Sequence, residues 1–102
     1  MLVEVLTFDG CPQAAPAIEL VRRVVEEAGV SAEVRVVNVS DAETQLRRFL
    51  GSPSIRVCGR DVEPNAEARC DFARTCRLYS TAAGLRPLPD EAWLRVALTA
   101  VR

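Results

Sequence analysis

Residues Leu2 to Phe8 (LVEVLTF) are rich in β-formers and partly alternate apolar with polar side chains, which predicts a strand that Asp9-Gly10 interrupts. From Pro12 to Gly29 the apolar positions Ala17, Ile18, Leu20, Val21, Val24, Val25 and Ala28 recur at helical spacing, opposite a polar face of Glu19, Arg22, Arg23, Glu26 and Glu27. An amphipathic helix follows, with Gly29 as its stop. Ala32 to Val39 (AEVRVVNV) reads as a second strand, and Asp41 to Leu50 as a second helix carrying Ala42, Leu46, Phe49 and Leu50 on one face, ended by Gly51. Ser54 to Cys58 and Arg60 to Glu63 flank Gly59 as the arms of a hairpin. Asn65 to Tyr79 fits either a helix presenting Ala68, Phe72, Cys76 and Tyr79 or a partly irregular segment. Leu88-Pro89-Asp90-Glu91 then opens a last helix through Trp93, Val96, Ala97, Ala100 and Val101.

The order β-α-β-α-β-β-α in 102 residues predicts one α/β domain, residues 1–102, without internal repeat or linker. The opening βαβ unit requires a parallel strand pair, and the later hairpin adds antiparallel strands. A mixed four-stranded sheet with helices on both faces is therefore expected.

A net charge of -1 gives no long-range field for polyanions, so neither nucleic acid nor an anionic membrane is an indicated partner. All 13 basic residues are arginine. Arg56, Arg60, Arg69, Arg74 and Arg77 crowd the second half, but Asp61, Glu63, Glu67 and Asp71 lie among them, so a solvated mixed-charge surface is expected there rather than phosphate or carboxylate recognition. Met1 leads into a short apolar run with no basic flank or cleavage site, and no apolar stretch is long enough for a bilayer. The expected location is cytoplasmic, where thiols stay reduced. The four cysteines then read as reactive, ligand-binding or buried rather than as structural disulfides.

The chemistry concentrates at Gly10-Cys11-Pro12-Gln13-Ala14. If the first helix begins here, Cys11 takes about the N-cap position and Pro12 the first helical one, where unpaired N–H groups and the helix dipole favour a thiolate. The plainer alternative is a small buried cysteine that only packs. Asp9 is a candidate proton acceptor for the sulfur, with capping of the first helix as its ordinary role.

The run of strand, Gly-Cys-Pro, helix, and then Gly51-Ser52-Pro53-Ser54-Ile55 ahead of a hairpin resembles the thioredoxin superfamily over nearly the whole chain. The resemblance implies a thioredoxin-like fold, a cis Pro53 lying against the active Cys11, and Gly10, Pro12 and Ser52 as substrate contacts. One departure matters: the superfamily's second cysteine, three residues after the first, is Ala14 here. The exchange cycle then needs a monothiol route or a resolving cysteine from elsewhere.

Topology ranks the others. The third strand starts beside Cys11 and runs away from it, which carries Cys58 off on the order of 16 Å at ~3.3 Å per residue. The fourth strand returns, so Cys70 and Cys76 are the resolving candidates. Cys76 is favoured because Arg77 and Tyr79 bring a charge and a phenol near its sulfur. Gaps of 46, 11 and 5 residues between cysteines lack the paired spacing of structural zinc. Thiolates without histidine suit a soft ion such as Hg(II) or Cu(I) instead. The chain is also similar to small thioredoxin-fold proteins grouped with alkylmercury lyases and mercury resistance.

No histidine is present for a Ser-His-Asp or Cys-His arrangement, and no phosphate loop or dinucleotide glycine pattern occurs. The expected function is thus thiol–disulfide exchange by Cys11 on a protein or small-molecule disulfide or electrophile, without a cofactor. The alternative is soft-metal binding by the same thiols without turnover.

Overall fold

The computed structural model describes residues 1–100. Strand β1 (Leu2–Thr7) leads through helix α1 (Ala14–Ala28) to β2 (Glu33–Asn38), and β3 (Ser54–Val57) turns into β4 (Arg60–Asp61). A separate hairpin of β5 (Tyr79–Thr81) and β6 (Gly84–Arg86) precedes helix α2 (Glu91–Ala100). Val101, expected on the last helix, lies outside the described residues.

The main sheet has the order β2-β1-β3-β4. Strands β1 and β2 are parallel, from Leu2 opposite Glu33 to Thr7 opposite Asn38. Strand β3 runs antiparallel to β1 and to β4, with Leu6 opposite Ser54 and Arg56 opposite Asp61. The sheet is mixed and four-stranded, as expected.

Period-two alternation sorts its side chains. Val3, Val5, Ile55 and Val57 face α1 and α2 and pack with Ala17, Val21, Val24, Leu94 and Leu98 in one core. Each fully buried Val or Leu there contributes roughly 1.5–3 kcal/mol. Gly29 ends α1 in the left-handed conformation at φ 67°, donating its N–H to Glu26 O. Asp90 Oδ1 accepts the N–H of Ala92 at 2.9 Å and so caps α2.

Both helices share this face, which corrects the expectation of a helix on each side. The opposite face packs Leu6 and Val39 against Phe49, and the segments around residues 40–50 and 69–79 cover it.

The expected helix from Asp41 to Leu50 is only a 3₁₀ turn, Asp41–Glu43. It begins properly, with a reciprocal capping box between Ser40 and Glu43. Turns follow it, Arg48 adopts φ 52°, and Arg56 Nη2 donates to the carbonyls of Arg47 and Arg48 at 2.6 and 3.1 Å. Leu46, assigned to the apolar face, is 85% exposed. From Asn65 to Tyr79 the chain is mostly irregular after a 3₁₀ turn at Ala66–Ala68. Among the described residues no helix is long and apolar enough to cross a membrane.

Candidate thiol site at the end of the first strand

After Thr7 the chain makes two turns before α1 starts. Cys11 N–H donates to Phe8 O at 3.2 Å, and Ala14 N–H donates to Cys11 O at 3.2 Å. Gly10 permits the first turn at φ 88°. The cap of α1 is Gln13, so Cys11 lies two residues ahead of it and Pro12 one. This corrects the expected assignment of Cys11 to the cap and Pro12 to the first helical residue. Pro16 occupies the third helical position, where a missing N–H costs nothing. No side chain caps α1 and no acid lies in its first turn.

Cys11 is buried, with 8% of its surface exposed, while Gly10 and Pro12 on either side are exposed. Asp9 does not cap the helix. Its Oδ1 accepts Asn38 Nδ2 at 2.8 Å and ties the end of β1 to the end of β2.

The Ser52–Pro53 peptide bond is cis. Both residues are buried. Ser52 Oγ donates to Thr7 Oγ1 at 3.0 Å, its N–H donates to Thr75 O at 2.8 Å, and its carbonyl accepts the N–H of Arg77 at 2.9 Å. The Pro53 carbonyl accepts the Tyr79 hydroxyl. Neither side chain reaches the surface, Ser52 being 1% exposed. They anchor residues 75–79 instead.

That anchoring locates Cys76. It bridges Ser52 in a parallel backbone pairing, and Ser52 touches Thr7, the residue before the Phe8 carbonyl that Cys11 engages. Cys76 and Cys11 are thus brought to the same end of the sheet, and Cys76 is exposed. The charge and phenol expected near its sulfur turn away from it. Alternation along the segment buries Arg77 and Tyr79 and exposes Cys76 and Leu78. Arg77 spends its guanidinium on Asp61, Glu63 and Ser54 Oγ. Burial pushes the Tyr79 phenol well above the usual range, with Arg77 opposing the shift.

Cys58 sits in the β3–β4 turn, where its N–H donates to Leu2 O at 2.8 Å, at the sheet end away from Cys11. Cys70 is exposed between Arg69 and Phe72, both of which line a cleft that also contains Cys58. All four cysteines are free.

Arg74 is a feature that composition alone had merged into a charged surface. Its guanidinium lies 5.0 Å over the Phe8 ring, Nε donates to Val39 O at 3.0 Å, and Nη1 is 3.6 Å from Asp41. It thus packs on the ring of Phe8, the residue whose carbonyl Cys11 engages. Among the described residues no group of three or more His, Cys, Asp or Glu side chains converges to hold a metal ion. No protein-family model matches the chain, and no curated protein or solved structure gives a match.

Proposed function

We propose that this chain is a thioredoxin-like thiol–disulfide exchange protein in which Cys11 attacks and Cys76 resolves. The observation that carries this reading is the Ser52–Cys76 bridge, which delivers an exposed thiol to the end of β1 where Cys11 lies. It supplies the second sulfur that Ala14 denies to α1. The sheet order β2-β1-β3-β4, with β3 antiparallel to its neighbours, supports the thioredoxin-like architecture. So does the position of Cys11 between β1 and an uncapped helix of 15 residues, whose first-turn N–H groups favour negative charge nearby.

In the cycle, the Cys11 thiolate displaces one sulfur of a substrate disulfide, forming a mixed disulfide and releasing the first substrate thiolate. The Cys76 thiolate then attacks the Cys11 sulfur, closing a Cys11–Cys76 disulfide and releasing the second. Two electrons pass from protein to substrate. Two equivalents of a low-molecular-weight thiol return the protein to its dithiol form and leave as their own disulfide.

Exposure of the reduced protein to oxidised glutathione, followed by mass spectrometry of non-reduced peptides, tests the scheme. The expected product is a Cys11–Cys76 disulfide in the parent and a persistent Cys11–glutathione adduct in Cys76→Ser. An adduct on Cys58 or Cys70 with Cys11 untouched in the folded protein would refute it.

A further inference from the structure

We propose that the arginine-lined cleft beside the β3–β4 turn binds the phosphate of a small phosphorylated molecule through Arg56 and Arg48. The cleft, about 390 Å³, lies between the 47–50 segment, the turn at Cys58-Gly59, and Phe72. That volume falls in the range of small-molecule sites. It is separate from the thiol site, and the inference does not depend on the exchange reaction.

Five arginines line it: Arg47, Arg48, Arg56, Arg60 and Arg69. Three have carboxylate partners. Arg47 meets Glu43 at 2.8 Å, Arg69 meets Glu63 and Asp71 at 3.2 and 2.7 Å, and Arg60 meets Glu67 at 3.9 Å. Asp61 also lines the cleft, but both its oxygens are bonded to Arg77.

Arg56 and Arg48 are left without an ion pair among the described residues. Arg56 is half-buried in mid-sheet, directly opposite Glu4 on β1 and Asp61 on β4, and neither carboxylate comes within salt-bridge distance. Its Nη2 is occupied by two carbonyls, while Nε and Nη1 carry no bond. Burial pulls this guanidinium below the usual arginine range, with Asp61 and Glu4 opposing. A cation so placed gains from an anion that a solvated surface arginine would not need. Arg48 lies 4.8 Å over the Phe72 ring, which fixes a second guanidinium at the mouth.

Backbone strain marks the same place. Arg48 and Cys58, with φ of 52° and 51°, are two of the three non-glycine residues at positive φ among the described residues, and both line the cleft. Two uncompensated guanidiniums match the charge of a phosphomonoester, about -1.5 to -2 at neutral pH, better than that of a single carboxylate.

NMR titration of the full chain with inorganic phosphate, AMP, adenosine and acetate at constant ionic strength tests the site. Phosphate and AMP should shift the amides of Arg48, Arg56, Cys58 and Gly59, while adenosine and acetate leave them in place. Arg56→Gln should weaken AMP binding at least about tenfold, a difference of ~1.4 kcal/mol. Arg56 also holds the 47–50 carbonyls, so Arg48→Gln, at an exposed position, serves as the second variant and should weaken binding several-fold in a folded protein. Arg22→Gln, on the remote face of α1, should change nothing. Shifts absent at millimolar phosphate and AMP, or equal losses in Arg22→Gln and Arg48→Gln, would overturn the proposal. Equal binding of acetate would replace phosphate with a generic carboxylate and overturn it too.

Discussion

Arg77 and Asp61 meet in a two-pronged contact, Nη1 to Oδ2 at 2.7 Å and Nη2 to Oδ1 at 3.0 Å, on a guanidinium whose side chain is 1% exposed. Glu63 Oε1 and Ser54 Oγ accept further bonds, and the Tyr79 ring lies 4.3 Å beneath. Only Nε lacks a partner. This cluster pins residues 75–79, and with them Cys76, to the sheet.

Asp61→Ala should therefore cost about 3 kcal/mol, because it removes the two-pronged partner of a buried cation and leaves it Glu63 alone. Urea denaturation of Asp61→Ala, Arg77→Met and the double variant measures the coupling. The double variant should be closer to the parent than the sum of the singles implies. Additive losses, or a single-variant cost under about 1 kcal/mol, would show that the cluster is not an energetic unit.

Gly51 adjoins this cluster at φ 117°, and a Cβ added there would lie 2.9 Å from Arg77 Cβ and 3.1 Å from Thr75 O. Thr75 O and Arg77 Cα, at 3.3 Å, are backbone, so relief requires moving the segment that carries Cys76. Gly51→Ala should destabilise by about 1–3 kcal/mol. It should also increase labelling of Cys76 relative to Cys58 in a peptide-resolved alkylation assay. A destabilised protein with an unchanged labelling ratio would separate Gly51 from the Cys76 segment.

Glu91 bridges the two helices through Arg23 of α1 at 3.0 Å and pairs within α2 with Arg95 at 2.6 Å. These hydrogen bonds, Arg23's first, hold its carboxyl at about 2, below the ordinary 4.5. With the folded value depressed, the contribution to stability is complete above about 4.5 and is lost as pH falls toward about 2. Parent and Glu91→Gln should differ in Tm near neutral pH and converge across that acid window, with high salt shrinking the neutral difference. A gap that stays constant down to the acid limit would mean that the effect of Gln is packing rather than charge.

Much of this fold is legible where local chemistry and tertiary packing agree. The helix from Ala14 was readable because Ala17, Val21 and Val24 bury against the sheet while its opposite face is charged, and Gly29 stops it. The 41–50 segment misled because its start signals are genuine: Ser40 and Glu43 do form a capping box. Its departure from helix shows at Arg48, which takes φ 52°, and Arg56, from a distant strand, bonds the Arg47 and Arg48 carbonyls there. Cys11 was identifiable as a strand-end residue, but its separation from the cap reflects two successive turns that no motif announces. Cys76 as the neighbour of Ser52 rests on a non-local bridge, and the burial of Arg77 rests on Asp61 and Glu63 from another strand. The hairpin β5–β6 was missed since Tyr79–Thr81 and Gly84–Arg86 are too short to show alternation.

Cys58 carries the backbone strain of a turn. Cys58 and Gly59 form the two-residue link between β3 and β4, with φ of 51° and 83°. Positive φ at both positions is the primed turn that matches strand twist, and it favours Asn at the first position. Cysteine pays a left-handed cost of roughly 1–2 kcal/mol that Asn largely avoids. Cys58→Asn should raise stability by up to about 1 kcal/mol in urea denaturation and leave the glutathione reaction of Cys11 unchanged. A destabilised Cys58→Asn would mean that the thiol makes contacts worth more than the backbone strain. A slower Cys11 reaction in a stable variant would implicate Cys58 in the exchange cycle, contrary to its position at the other end of the sheet.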